Sequence, residues 1–147
     1  MTRSRKKDPR HRAREAALQI LYQWEIGGGD PAHGAETFFA QQWPDTDPPA
    51  DTLREFASAL AEETVARLGT IDPLIAETAA RWRPERMAIL DRLIMRMAVC
   101  EMLRDRETPG AVVINEALEL ARTFSTEESV KFINGMLDAI RKKIEGA

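Results

Sequence analysis

One cysteine, Cys100, leaves the chain no internal disulfide to make, and no Cys/His spacing of a zinc site surrounds it. The two histidines, His11 and His33, stand too far apart in sequence to form a metal-binding pair. Neither a metal nor a cofactor is therefore expected, and a reducing cytoplasm is the default compartment. Apolar runs fall short of the ~20 residues that cross a bilayer, so no membrane contact is expected. The basic start does not lead into a signal-peptide core, because residues 13–24 are interrupted by Arg14, Glu15, Gln19 and Gln23. A mitochondrial presequence would also be basic, but here the basic stretch runs straight into a patterned helix.

Catalytic signatures are missing as well. Neither G-x-x-x-x-G-K-[ST] nor G-x-G-x-x-G occurs, and Gly27-Gly28-Gly29 follows a helical pattern instead of a strand. Neither H-E-x-x-H nor G-x-S-x-G is present. Pairs such as Glu62-Glu63 and Glu127-Glu128 are ordinary on solvated helix faces. The chain is expected not to be an enzyme.

What is present is a division of charge. Residues 1–14 hold seven cations against Asp8 alone, a local charge of +6. The whole chain carries −3, so the remainder carries −9. A basic arm on an acidic body suggests a polyanion partner. With 147 residues, 44% of them hydrophobic, the chain suits one soluble globular domain. Residues 1–9 read as a disordered basic arm and 10–147 as a single helical domain.

Helix punctuation is plain. Ala13, Ala17, Ile20, Leu21 and Trp24 form an apolar stripe over residues 10–26, ended by the three glycines. Asp30-Pro31 starts a second helix reaching residue 43. Residues 44–50 read as a loop. Thr52-x-x-Glu55 reads as a capping box for a third helix that Gly69 stops. Asp72-Pro73 opens a fourth, which ends before Pro84. A fifth covers residues 85–105 and buries Leu90, Leu93, Ile94, Met97 and Ala98. After Thr108-Pro109-Gly110 comes a sixth with Ile114, Ala117, Leu118 and Ala121. Ser125-x-x-Glu128 reads as the capping box of a seventh, carrying Ile133, Met136, Leu137, Ile140 and Ile144. Strand alternation is absent, so the expected class is all-α.

Two features carry candidate function. Arg10, Arg12 and Arg14 sit where tail becomes helix, and guanidinium groups pair with phosphates and stack on unpaired bases. These cations crowd the positive end of the helix dipole, which costs a few tenths of a kcal/mol each and which a phosphate would relieve. A solvated tail is the plainer reading. Tyr22 and Phe132 lie off the cleanest apolar stripes, as either a widened core or a partner surface. Glu128 has the plainer role of completing its capping box. Trp82 and Arg86 read as structural.

Four segments together resemble the NusB family of bacterial transcription antitermination factors. They are Arg12-Ala13-Arg14-Glu15 with Ala17, Gln19, Leu21-Tyr22 and Trp24; Asp91-Arg92-x-Ile94-x-Arg96-x-Ala98-x-x-Glu101; Ile114-Asn115-Glu116-Ala117-x-Glu119-Leu120-Ala121; and Lys131-Phe132-Ile133-Asn134-Gly135. The likeness runs over residues 10–141, with 30–85 matching mainly in length and helical pattern. It implies seven helices in two perpendicular three-helix bundles. It also implies antitermination in ribosomal RNA synthesis, through binding of boxA RNA jointly with the ribosomal protein NusE and then of a polymerase complex with NusA and NusG. RNA contacts carry over to Arg10, Arg12 and Arg14, and to Lys6 and Lys7 in the tail. NusE contacts carry over to Tyr22, Glu128 and Phe132. His11 stands where many relatives have arginine, and Glu128 where Asp is more usual.

Two rival readings stay open. NusB-like domains also form the N-terminal part of some RNA cytosine methyltransferases, although no strand–helix alternation or Gly-rich loop appears before Ala147. A homodimer burying the arm-proximal surface would compete with RNA.

Overall fold

Local sequence sets some helix ends, and distant partners set others, in the computed structural model, which describes residues 10–43, 51–79 and 84–146. The expectations for residues 1–9, including Lys6 and Lys7, for the 44–50 loop and for Trp82 lie outside the described residues. Among the described residues seven α-helices follow in order: α1 (His11–Gly27), α2 (Pro31–Gln42), α3 (Asp51–Ala66), α4 (Leu68–Thr78), α5 (Ile89–Arg104), α6 (Gly110–Phe124) and α7 (Glu127–Gly146), with a 3₁₀ turn (Pro84–Arg86) ahead of α5. Among the described residues there is no strand, and the chain is all-α.

Gly28 donates its N–H to the Trp24 carbonyl at 2.7 Å and ends α1 with φ of 73°, followed by Gly29 at 87°. Side chains rarely adopt those angles, so glycine is favoured at 28 and 29. Asp30 caps α2 as expected, its carboxylate accepting from the Ala32 N–H at 3.1 Å.

Four expected punctuation marks are displaced. Thr52 lies inside the first turn of α3, behind Asp51, and so does not precede the helix as a cap. Gly69 and Pro73 both lie within α4, which starts at Leu68. Asp72 does not cap, because its carboxylate is gripped by Arg96 through two 2.9 Å bonds from Nε and Nη2. At α7 the cap is Thr126, whose hydroxyl accepts from the Ser129 N–H at 3.0 Å. Ser125 is drawn elsewhere: with Ser129 it donates to the two oxygens of the buried Asp91, each at 2.5 Å. Glu128 is thus left exposed, outside any capping box.

Helices α1, α2 and α3 pack on one another, as do α5, α6 and α7. The α4 helix bridges α3, α5 and α7, and α1 reaches across to α5 and α6. One apolar cluster runs through all of this. Ala13, Ala17, Ile20 and Leu21 of α1, and Ile133, Leu137 and Ile140 of α7, are essentially inaccessible. Each large side chain so placed contributes about 1.5–3 kcal/mol by leaving water.

Candidate RNA and protein-partner interface

Helix α1 enters the fold at an ionic knot. Arg14 and Glu101 are each 2% exposed and pair through two bonds, Nε to Oε1 at 2.8 Å and Nη2 to Oε2 at 2.5 Å. A second carboxylate, Glu116 of α6, lies 3.6 Å from Arg14 Nη1. It also accepts from the buried His11 ring at Nδ1, 2.9 Å away. Acceptance by a carboxylate requires the proton on that ring nitrogen. Glu15 approaches the opposite ring nitrogen at 3.7 Å.

This knot separates the three arginines. Arg14 is buried at the helix start, and its guanidinium does not face solvent. The expectation that it meets RNA therefore does not fit its place in the free protein. Carboxylates from α5 and α6 supply negative charge at the positive end of α1, a relief that the sequence pattern suggested would come from phosphate.

Arg10 and Arg12 have partners outside the knot. Arg12 is exposed, with its guanidinium 5.1 Å from the ring centre of the buried Trp43. Arg10 lies 4.6 Å over Phe56 and reaches Asp105 Oδ2 at 3.3 Å. Asp105 closes α5 and shapes the turn into α6. Its carboxyl is held below the usual carboxylate range, chiefly by the Thr108 hydroxyl at 2.5 Å, with backbone N–H groups of Thr108 and Glu107 and the Arg10 guanidinium adding to it.

The other end of α1 is apolar and bare. Tyr22 is 41% exposed, Ile26 62% and Phe132 44%; they are the large hydrophobic side chains left in solvent among the described residues. The widened-core reading of Tyr22 and Phe132 thus gives way to a surface one. Tyr22 and Ile26 are four residues apart on one helix face. Arg92 in the first turn of α5 ties itself to Glu25 of α1 at 2.9 Å, while its neighbour Asp91 holds Ser125 and Ser129 beside the start of α7. One turn of α5 thereby ties the last turns of α1, which carry Tyr22 and Ile26, and the start of α7, which carries Glu128 and Phe132. Ile26 was missed in sequence because it precedes the glycines and resembles a frayed helix end.

Among the described residues no cluster of His, Cys, Asp and Glu could hold a metal ion, and no helix is long and apolar enough to cross a membrane.

The model of the NusB family matches residues 11–142. The chain belongs to the NusB family. A transcription antitermination protein NusB from Solibacter usitatus is 44% identical, over 92% of this chain and 90% of that one. The structure of T. maritima NusB agrees with a TM-score of 0.82 at 32% identity, covering 94% of each chain. A chain from the crystal structure of antitermination factors NusB and NusE in complex with dsRNA agrees in fold, with a TM-score of 0.80 at 24% identity over 92% of this chain and 97% of that one.

Proposed function

We propose that this chain is a non-catalytic, RNA-binding transcription antitermination factor. In this reading it binds boxA-type single-stranded RNA together with NusE and acts in ribosomal RNA transcription in the cytoplasm. NusA and NusG complete the elongation complex it joins.

The observation that carries the reading is the bipolar character of α1. Cationic Arg10 and Arg12 stand at its first turn, and bare Tyr22 and Ile26 at its last turns. Arg12 and Tyr22 are ten residues apart, about 15 Å along the axis. An RNA strand at one end and a protein at the other would then be neighbours, so each stabilises the other's place. Arg10 and Arg12 contact the RNA, with Lys6 and Lys7 adding to the field. Tyr22, Glu128 and Phe132 contact NusE. Large aromatics in a polar rim are the residue types that dominate such interfaces.

A gel-shift titration with boxA-like and scrambled RNA, with and without NusE, tests the assignment. A preference for boxA that NusE strengthens is expected; equal binding of both RNAs in both conditions would overturn it. Reversing the charge of Arg10 and Arg12 together should lower affinity and flatten its salt dependence, by roughly 0.7 in the log–log slope for each phosphate no longer neutralised. Unchanged affinity and slope would remove the two arginines from the RNA site.

A further inference from the structure

Between the start of α3 and the end of α5 lies an open groove of about 630 Å³, beside Arg10. Its floor includes the ring of Phe56, half-buried, with the Arg10 guanidinium above it at 4.6 Å. Thr52, Glu55, Arg104 and Asp105 complete the polar part of the lining.

Charge decides what could lie there. Arg10 and Arg104 are offset by Glu55 and Asp105, so the lining is neutral as a whole. Arg104 is further occupied by Glu63, to which its Nε donates at 2.8 Å. Asp105 is held in its ionised form by the turn that follows it. A phosphate would meet two carboxylates and gain little. A flat, uncharged ring with N–H groups on its edge suits the groove better. The Arg10 guanidinium, laid over the Phe56 ring, offers a stacking face, and Glu55 and the Thr52 hydroxyl offer edge acceptors, Asp105 being already occupied by Thr108, Glu107 and Arg10. An extended strand whose phosphates follow the arginines at the start of α1 would pass the mouth of this groove.

We propose that the groove is a nucleobase subsite, in which one unpaired RNA base stacks against the Phe56–Arg10 pair. The proposal rests on the RNA-binding reading given above. It adds a residue, Phe56, that carries no charge and stands in none of the motifs which mark the family resemblance.

The test uses the full chain with NusE and a fluorescently labelled boxA-like single-stranded RNA, read by anisotropy. Phe56→Leu keeps an apolar side chain but removes the ring. It should weaken binding roughly tenfold, in line with the usual worth of one base–aromatic stack. Abasic substitution, scanned along the RNA, should find one position that costs the wild type a similar factor and costs F56L nothing further. Phe56→Tyr should retain both the affinity and that penalty. A measurement on the wild-type protein alone guards against a variant that fails to fold. 2-Aminopurine placed at the sensitive position should lose fluorescence on binding. Abasic penalties identical in wild type and F56L at every position would overturn the subsite, as would 2-aminopurine fluorescence unchanged at all positions. Failure of the wild type to bind any RNA would instead overturn the functional reading itself, and the subsite with it.

Discussion

Replacing Arg14 with alanine separates a structural arginine from an RNA-binding one. Arg14 and Glu101 are each 2% exposed and joined by two short bonds, so deleting the guanidinium strands a carboxylate in the interior. Glu116, 3.6 Å away, loses a cation at the same time and is left with His11 beside it. Breaking a buried pair from one side costs about 3–5 kcal/mol, because the surviving charge remains desolvated and unmatched. For a chain of this length each kcal/mol moves the melting temperature by about 2–4 °C, so R14A should melt about 10 °C or more below the wild type. Urea unfolding followed by circular dichroism at the helix band gives the free energy directly. The companion double variant, Arg14→Met with Glu101→Leu, removes both charges and should recover much of the loss. RNA affinity, measured where R14A is still folded, should fall far less than after charge reversal at Arg10 and Arg12. An R14A protein within about 1 kcal/mol of wild-type stability that bound RNA poorly would refute this reasoning and return Arg14 to the RNA site.

Other consequences are checked more briefly. Phe132→Ala should weaken NusE binding by about tenfold or more in titration calorimetry, with thermal stability nearly unchanged, since the ring is 44% exposed. A large loss of stability would place the ring in the core. Asp105 has a folded-state pKa below its ordinary 3.8, so its contribution is present above that value and lost as pH falls through the lower folded value. The stability gap between wild type and Asp105→Asn should accordingly hold near neutrality and close on the acid side below about pH 4; a gap that stayed constant far into acid would contradict it. Cys100 is fully buried, and burial pushes its thiol up from its usual value. Ellman's reagent under mildly alkaline conditions should leave the native protein unmodified and react promptly in denaturant; fast labelling of the native chain would show that the α5 interior opens.

Much of the architecture was legible in the order of residues. Apolar spacing marked α1, α5, α6 and α7, and most of the same side chains are found in the interior, with Trp24 and Leu90 only half-buried. Asp30-Pro31 marked the start of α2 because the cap bonds a backbone group two residues away. Errors arose where a capping residue had a distant competitor. Asp72 looked like a cap, yet Arg96 claims it from 24 residues on. Ser125 looked like a cap, yet Asp91 takes its hydroxyl and leaves the role to Thr126. For the site, the sequence located Arg10, Arg12, Tyr22 and Phe132 but could not tell which faced water.

By itself the sequence determined the all-α class, the apolar faces of α1, α5, α6 and α7 and the charge division between arm and body. Those follow from interactions within one or two helical turns, which neighbouring residues set. Tertiary structure alone decided the fate of three arginines spaced two apart in the same turn. Arg14 is buried against Glu101 of α5 and Glu116 of α6, far along the chain, whereas the exposed Arg12 lies over Trp43 and the half-buried Arg10 over Phe56. Helical spacing points them in different directions, and what each then encounters depends on segments that only folding brings near.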